Sequence, residues 1–266
     1  MKLSDKKAAK WVTLMKEAST KRCLCQGLAA KWVGRLSFST QRAFNRVGRA
    51  MTRPFIEQQH APNKGNAIGK KLRLAMKWWI QALENKVVNT KQLSCKREKI
   101  DLFCDAASTP PKLAAVLFDG QSKPEFTRID VEQRLMQKFE DRKDNQIMGL
   151  EILAIILGIE TFKEKMRGKL LRIWTDNSGG EHSLKQGSSR TNDFNALVHF
   201  FWLYCQKLNI DVDIRRVPTA DNIADGPTRP TKAVNCKILS VLDASETAPK
   251  LPCELSGHDA FKHLLQ

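Results

Sequence analysis

An α/β fold with a mixed five-stranded sheet flanked by helices is predicted for residues 99–232. Near Lys99 the apolar pattern changes from helical spacing to short apolar runs, which are typical of strands. The candidate elements then follow in the order β-β-β-α-β-α-α-β-α. Three successive strands followed by alternating helices and strands indicate a sheet with both antiparallel and parallel pairs, with helices packed on it.

The predicted strands are short and largely apolar. Gly120 and Pro124 mark the turn between the second and third of them. The five segments are KIDLFCDAAS, with the strand proper ending at Asp105, LAAVLFDG, EFTRIDVE, KLLRIW and IDVDIRRVP.

Helical periodicity is clearest in two segments. Residues 145–165 place apolar side chains at Ile147, Leu150, Leu153, Ala154, Leu157 and Ile159. The run TNDFNALVHFFWLYCQKLN predicts a second helix, capped by Thr191 or Asn192. A short helix or turn is expected in ADNIADGPTR.

A basic, mostly helical segment is predicted for residues 1–98. The chain has a net charge of +17, and its first 100 residues hold 23 Lys and Arg against 5 Asp and Glu. Concentrated positive charge favours a segment that binds a polyanion. A solvated helical surface without such a partner is the alternative.

Apolar and cationic residues alternate within this basic segment. Spacings of mostly three and four relate Leu28, Trp32, Leu36, Phe44, Val47 and Met51. Between them lie the candidate nucleic-acid-binding residues Arg35, Arg42, Arg46, Arg49 and Arg53. Trp78 and Trp79, in a second amphipathic helix, are expected to pack in a core or interface, with base stacking as the alternative.

The remaining composition indicates an intracellular protein, cytoplasmic or nuclear. Seven scattered cysteines without zinc spacing are typical of reduced thiols. The N-terminus lacks the apolar core of a secretion signal, and the longest apolar stretch, IMGLEILAIILGI, is too short to span a membrane. Residues 233–266 show little pattern and are expected to form a partly ordered tail.

Four acidic residues fall at positions that suit a metal site. Asp105 and Asp176 each end a predicted strand, Glu151 lies early in the apolar helix, and Asp225 begins the last short helix. Each alone has a structural explanation as a turn, cap or rim residue. Together they would repel one another unless cations bind, and two Mg²⁺ ions can activate water and stabilise a leaving phosphate oxygen.

The motifs around these acids resemble those of ribonuclease H domains in retrotransposon reverse transcriptases. The similar segments are FCDAAS, IMGLEILAIILGIETF, RIWTDNSGG and RVPTADNIADGPTR, the last matching N-x-x-A-D-x-x-[ST]-R. The basic segment is similar to the thumb and connection helices that precede that domain. The resemblance implies a ribonuclease H-like fold.

The resemblance also implies an activity, namely cleavage of the RNA strand of RNA–DNA hybrids. Asp105, Glu151, Asp176 and Asp225 would be catalytic metal ligands for two Mg²⁺ ions, which Mn²⁺ can replace. Other residues expected to contact nucleic acid are Asn177, Asn222 and Arg229. A polymerase domain encoded upstream in a longer polyprotein is the expected partner.

Two departures from the family pattern keep a second hypothesis open. The chain has no Y-x-D-D motif, so we do not expect DNA synthesis by this chain alone. The loop before Asp225 has Arg215 and Arg216 but no histidine. A catalytically silent nucleic-acid-binding remnant of a mobile element is therefore the alternative. The D…D…E order of transposases and the two-residue Asp–Glu spacing of D-E-D-D exonucleases are both absent.

Overall fold

The structure, a computed structural model, describes residues 3–61, 66–85, 97–139, 143, 146–229 and 238–256. These residues form two compact units. The first contains the residues up to 85 together with Gln186–Ser188, and the second contains the others. Residues 238–256, predicted as part of a separate tail, belong to the second unit.

The first unit is built from helices. Its core consists of large apolar side chains with almost no exposure, among them Met15, Trp32, Leu36, Phe55 and Met76. The helices are α1 (Asp5–Lys21), α2 (Gln26–Arg42), α3 (Arg53–Gln59) and α4 (Lys70–Glu84), with a 3₁₀ turn at Ala50–Thr52.

The apolar stripe predicted in this unit is interrupted at residues 43–49. Asn45, Arg46 and Gly48 have positive φ there, which ends α2 and turns the chain. Gly48 also lies against Trp79, and a Cβ at Gly48 would come within 2.7 Å of that ring. Of the six predicted stripe residues, Leu28 is exposed, because Ala29 takes the inward position in that turn of α2.

The two adjacent tryptophans pack as predicted. Trp79 is fully buried, and its indole Nε1 donates a hydrogen bond to the Met51 carbonyl oxygen at 3.3 Å. Trp78 is half-buried and meets Trp79 edge to face, with 4.9 Å between ring centroids. Their burial favours core packing over base stacking.

The second unit contains a mixed sheet of six strands in the order β5-β4-β1-β2-β3-β6. β1 pairs antiparallel with β2 and parallel with β4, and β4 pairs parallel with β5. The strands are β1 (Lys99–Ser108), β2 (Pro111–Phe118), β3 (Glu125–Asp130), β4 (Leu170–Thr175), β5 (Asp211–Arg216) and β6 (Ser245–Glu246). The mixed sheet with flanking helices confirms the predicted α/β class.

Helices cover both faces of this sheet. Gly158 brings α6 close to one face, since a Cβ there would come within 2.7 Å of the Ala115 Cβ. The helices are α5 (Gln133–Met136), α6 (Ile147–Met166), α7 (Ser178–Gln186), α8 (Asn192–Lys207), α9 (Asp225–Thr228), α10 (residues 238–241) and α11 (Cys253–Ser256). In the described ranges no helix combines the length and the apolar character needed to cross a membrane.

The sequence prediction of five strands omitted β6. This two-residue strand pairs parallel with β3, and Glu246 forms an ion pair with Arg128 of β3 at 3.0 Å. Leu239 of α10 packs with Val116 and Ala224 on the sheet face opposite α6. A strand of two residues is too short to show an apolar period, so the sequence does not reveal it.

Candidate metal centre

Three of the four predicted acidic ligands meet at one edge of the sheet. Asp105 lies in β1, Asp176 directly follows β4, and Glu151 is the fifth residue of α6. One carboxylate oxygen from each of them lies within 4.8 Å of the others. Asp105 and Glu151 are buried, and Asp176 is half-buried. Asp176 is thus the member of the cluster that solvent reaches most easily.

The sheet register explains why two of these acids converge. β1 and β4 run parallel, and their last paired residues are Phe103 and Trp174. Asp105 and Asp176 each follow two residues later, so their side chains emerge at the same edge. β1 does not end at Asp105 as predicted. It continues to Ser108, because β2 pairs with it from Asp101 to Ser108.

Asp105 is nearly inaccessible to solvent, with a relative exposure of 1%. Burial raises the pKa of Asp105 to about 6, and the charges of Asp176 and Asp225 add to this effect. The Thr228 hydroxyl, which donates to Asp105 Oδ2, lowers that pKa, as does the charge of Arg229. The carboxylate is therefore poised to lose its proton near neutral pH or when a cation approaches.

Glu151 occupies the most apolar position of the three. Burial raises its pKa well above the ordinary range, and the charges of Asp105 and Asp176 raise it further. Two donors oppose this shift: the backbone N–H of Ala106, and the Thr175 hydroxyl at 3.4 Å from Oε2. Glu151 is therefore a buried carboxylate within the group of three acids.

Asp225, the fourth predicted ligand, lies outside the group of three. It begins α9 and is buried, and its Oδ1 forms an ion pair with Arg229 Nη1 at 2.9 Å. Its charge still reaches Asp105, whose pKa it raises. Asp225 therefore neighbours the centre, with its own charge balanced by Arg229.

A buried asparagine attaches the α9 turn to β1. Asn222 has no exposed surface, and its Nδ2 donates to the Cys104 carbonyl oxygen at 2.9 Å. Its Oδ1 accepts the Ala224 N–H at 3.3 Å. Asn222, predicted to contact nucleic acid, is thus directed into the protein. Its amide satisfies backbone groups beside Asp105, so its role in this structure is to hold the turn.

The other predicted nucleic-acid contacts near the centre are partly accessible. Asn177 caps α7, since its Oδ1 accepts the Gly180 N–H at 2.8 Å, and its side chain is half-buried. Arg229 pairs with Asp225 while about a third of its side chain, 35%, remains exposed. Asn177 directly follows the clustered acid Asp176 in the sequence. Arg229 lies one helical turn after Asp225.

The five arginines predicted to bind nucleic acid differ in exposure within the first unit. Arg35 and Arg42 are exposed on α2, and Arg35 lies over the Trp32 ring at 5.1 Å from its centroid. Arg46, Arg49 and Arg53 are half-buried, and Arg53 pairs with Glu57 at 3.3 Å. Arg35 and Arg42 are the two of this set with the most freely accessible charge.

The three clustered carboxylates have the chemistry of a divalent-cation site. Within the described ranges, no Lys or Arg forms an ion pair with Asp105, Glu151 or Asp176. Buried, mutually repelling carboxylates are costly unless a cation compensates them. Oxygen ligands are the kind that Mg²⁺ and Mn²⁺ prefer. These residues therefore fit a hard divalent ion.

Sequence reasoning gave no role to two threonines that contact the acids. Thr228 belongs to the N-x-x-A-D-x-x-[ST]-R motif, which was the available signal, and Thr175 immediately precedes Asp176. Both hydroxyls donate to buried carboxylates. Two histidines of the second unit are described: His182 is exposed on α7, and His199 is buried in α8, where burial lowers its pKa to about 3.

Comparisons with known proteins gave likenesses among solved structures only. No protein-family model matches the chain, and no curated protein matches it. The N-terminal RNase H domain of a Mycobacterium tuberculosis protein, solved as a fusion with maltose-binding protein, is similar over 53% of this chain and 97% of that one, with 13% identity and a TM-score of 0.37. RNase H1 from the halophilic archaeon Halobacterium salinarum NRC-1 is similar over 48% and 93%, with 17% identity and a TM-score of 0.35.

Proposed function

We propose that the chain is a divalent-metal-dependent endonuclease that cleaves the RNA strand of RNA–DNA hybrids. The observation that carries the proposal is the group of three carboxylates, with oxygens within 4.8 Å of one another, at the edge where β1 and β4 run parallel. Such a group is costly to maintain without a catalytic or ligand-binding use.

The acids would hold two Mg²⁺ or Mn²⁺ ions between them. Asp105, Glu151 and Asp176 supply the central ligands, and Asp225 is proposed as the fourth. Bound divalent ions lower the pKa of a coordinated water and stabilise negative charge on a leaving phosphate oxygen. Burial of Asp105 and Glu151 keeps competing water away from their inner side, whereas the half-buried Asp176 faces the approach of the substrate.

The sequence motifs and the charge distribution support an RNA–DNA hybrid as the substrate that we propose. The family that the four motifs resemble acts on RNA–DNA hybrids, whose 2′-hydroxyl distinguishes RNA from DNA at the cleavage site. Arg35 and Arg42 present exposed positive charge for phosphate contacts in the first unit. We propose that the chain is the C-terminal part of a retroelement reverse transcriptase, with a polymerase domain encoded upstream.

A cleavage assay on the full chain tests the activity. The RNA strand of a hybrid is end-labelled and incubated with protein in Mg²⁺ or in chelator, beside RNA–RNA and DNA–DNA duplexes of the same sequence. We expect fragments from the hybrid only, and only with Mg²⁺ or Mn²⁺. Binding of the hybrid without any cleavage in either metal would support the catalytically silent remnant instead.

A pair of variants on α6 links that activity to the carboxylates. Glu151→Gln is expected to abolish cleavage, because the amide cannot supply the charge that the ions require. Glu164→Gln makes the same chemical change on an exposed position of the same helix. Equal loss of activity in both variants would show that the effect does not come from the metal centre.

A further inference from the structure

The Thr228 hydroxyl lies among three oxygen atoms of the chain. It is 3.2 Å from the Asp225 carbonyl oxygen and 3.4 Å from that of Ala224, and closest to Asp105 Oδ2. A hydroxyl has a single proton to donate. The carboxylate is the nearest acceptor and, being charged, the strongest one, so the proton belongs to the bond with Asp105.

This hydrogen bond is shielded from water. Thr228 has a relative exposure of 3% and Asp105 of 1%. Within the described ranges, Asp105 has no ion-pair partner that would hold its carboxylate in another orientation. Fixing Oδ2 restricts rotation of the carboxylate and so fixes the direction of Oδ1 as well.

Thr228 is itself held in place by contacts that do not involve Asp105. The side chain of Asn222 attaches the start of the α9 turn to the Cys104 carbonyl oxygen of β1. Ala224, with no exposed surface, packs with Val116 and Leu239. The position of the hydroxyl donor is therefore fixed independently of Asp105. A donor that is already fixed can orient a metal ligand with little further loss of conformational entropy.

We infer that Thr228 is a positioning residue that orients the Asp105 carboxylate for divalent-cation binding. The inference rests on the proposed metal-dependent function and assigns to this site a supporting residue that contacts no substrate. Supporting hydrogen bonds of this kind fix the orientation of carboxylate ligands. Because α9 carries both Thr228 and Asp225, the same bond also fixes the distance of Asp225 from the three clustered acids.

The test measures metal binding directly on the full chain, without substrate. Mn²⁺ is titrated by calorimetry into the parent, Thr228→Val and Thr228→Ser. Valine keeps the shape of threonine and lacks the hydroxyl, whereas serine keeps the hydroxyl. Thr127→Val is the matched control, because Thr127 is fully buried in β3 and its hydroxyl has no hydrogen-bond partner among the described residues.

We expect Thr228→Val to weaken Mn²⁺ binding by about tenfold or more, as is typical when a hydrogen bond to a metal ligand is lost. Thr228→Ser and Thr127→Val are expected to bind within about twofold of the parent, a difference too small to reflect a lost hydrogen bond. Thermal melts without metal check that each variant is folded. A residue with a merely structural role would lower the melting temperature and leave the Mn²⁺ affinity of the folded protein unchanged.

The outcomes separate this inference from the proposed function. Equal Mn²⁺ affinity in the parent and Thr228→Val would overturn the inference and leave the metal-dependent function standing. Metal binding that depends on Thr228 in a protein that cleaves no hybrid would support the inference and contradict the function. A parent that binds no Mn²⁺ would overturn both. If Thr228→Val fails to fold, the inference is tested with Thr228→Ser, which keeps the hydroxyl and should bind Mn²⁺ like Thr127→Val. Weaker Mn²⁺ binding by Thr228→Ser than by Thr127→Val would then contradict the inference.

Discussion

Asp105 and Asp176 each lie two residues beyond the last paired residues of two adjacent parallel strands, Phe103 and Trp174. The rings of that last pair stack nearly parallel, with 5.6 Å between centroids and 8° between planes. Beyond this pair β4 has one further residue, Thr175, which pairs with β5, while β1 continues along β2. Where β1 and β4 cease to pair, the two carboxylates lie close to that of Glu151 from α6.

The first prediction concerns Asp176, the most accessible of the three acids. Asp176→Asn is expected to reduce hybrid cleavage at least about a hundredfold, because a ligand charge is lost in a site that functions through charge. Hybrid binding and the circular dichroism spectrum should stay near those of the parent. Cleavage rates under single-turnover conditions provide the measurement.

Asp213→Asn is the control for this prediction. It makes the same chemical change in β5. Among the described residues, Asp213 forms an ion pair with Arg215 of the same strand, at 2.8 Å. This variant should cleave like the parent. Loss of a charged contact to the reacting group lowers the rate by far more than about threefold. If Asp176→Asn also cleaves within about threefold of the parent rate, the assignment of Asp176 to the metal centre is wrong.

The second prediction concerns stability against pH without divalent metal. Asp105 has a folded-state pKa of about 6 against an ordinary value of 3.8, and the pKa of Glu151 is also raised. A raised pKa means that the folded state binds the proton more tightly, so this stability is fully present below pH 3.8 and is lost as the pH rises from there through about 6. For Asp105 alone the loss is on the order of 3 kcal/mol in the free energy of unfolding.

Urea unfolding at several pH values between about 3.5 and 8 measures this dependence, because this range spans both pKa values of Asp105. Glu151→Gln should flatten it and make the metal-free protein more stable at pH 8, since one of the repelling charges is gone. Glu164→Gln on the same helix should leave the curve unchanged. Mg²⁺ should restore stability to the parent at pH 8, because a ligand of the native state stabilises it by mass action. A metal-free parent that grows more stable from pH 5 to 8 relative to Glu151→Gln would contradict the prediction.

The third prediction concerns the exposed arginines of α2. Replacing Arg35 and Arg42 together by glutamine should weaken hybrid binding. The slope of log affinity against log salt should also become shallower by about one for each phosphate contact removed. Fluorescence anisotropy with a labelled hybrid at several salt concentrations gives both quantities.

Lys163→Gln with Arg167→Gln is the matched pair, because these residues lie near the C-terminal end of α6, far from Glu151. An equal change of slope in both double variants would show that the response is one of overall charge rather than of contacts made by α2.

The fourth prediction concerns Asn222. Asn222→Ala removes the donor to the buried Cys104 carbonyl oxygen and the acceptor for the Ala224 N–H. We expect the free energy of unfolding to fall by about 2–3 kcal/mol, because a buried carbonyl is left without its partner. Asp221→Ala, an exposed change one residue away, should alter it little. Equal stabilities of the two variants in urea would indicate that the amide does not hold the α9 turn.

The sequence by itself determined which segments form the sheet unit and which acids are candidate ligands. Apolar periodicity is a local property, because side chains alternate along a strand and recur every three or four residues along a helix. The five longer strands and helices α6 and α8 therefore appear where the patterns predict them. The order of Asp105, Glu151, Asp176 and Asp225 can likewise be read directly from the sequence.

Tertiary structure decided how these acids are arranged and what surrounds them. Pairing of β1 with β4 brings Asp105 to Asp176, and this pairing joins residues about 70 positions apart, which no local period specifies. Asn222 is fully buried and directed into the protein, although the sequence motif suggested contact with nucleic acid. The bond from Thr228 to Asp105 spans 123 positions and depends on where α9 docks on β1. Contacts of that range come from packing and register, so only the folded chain defines them.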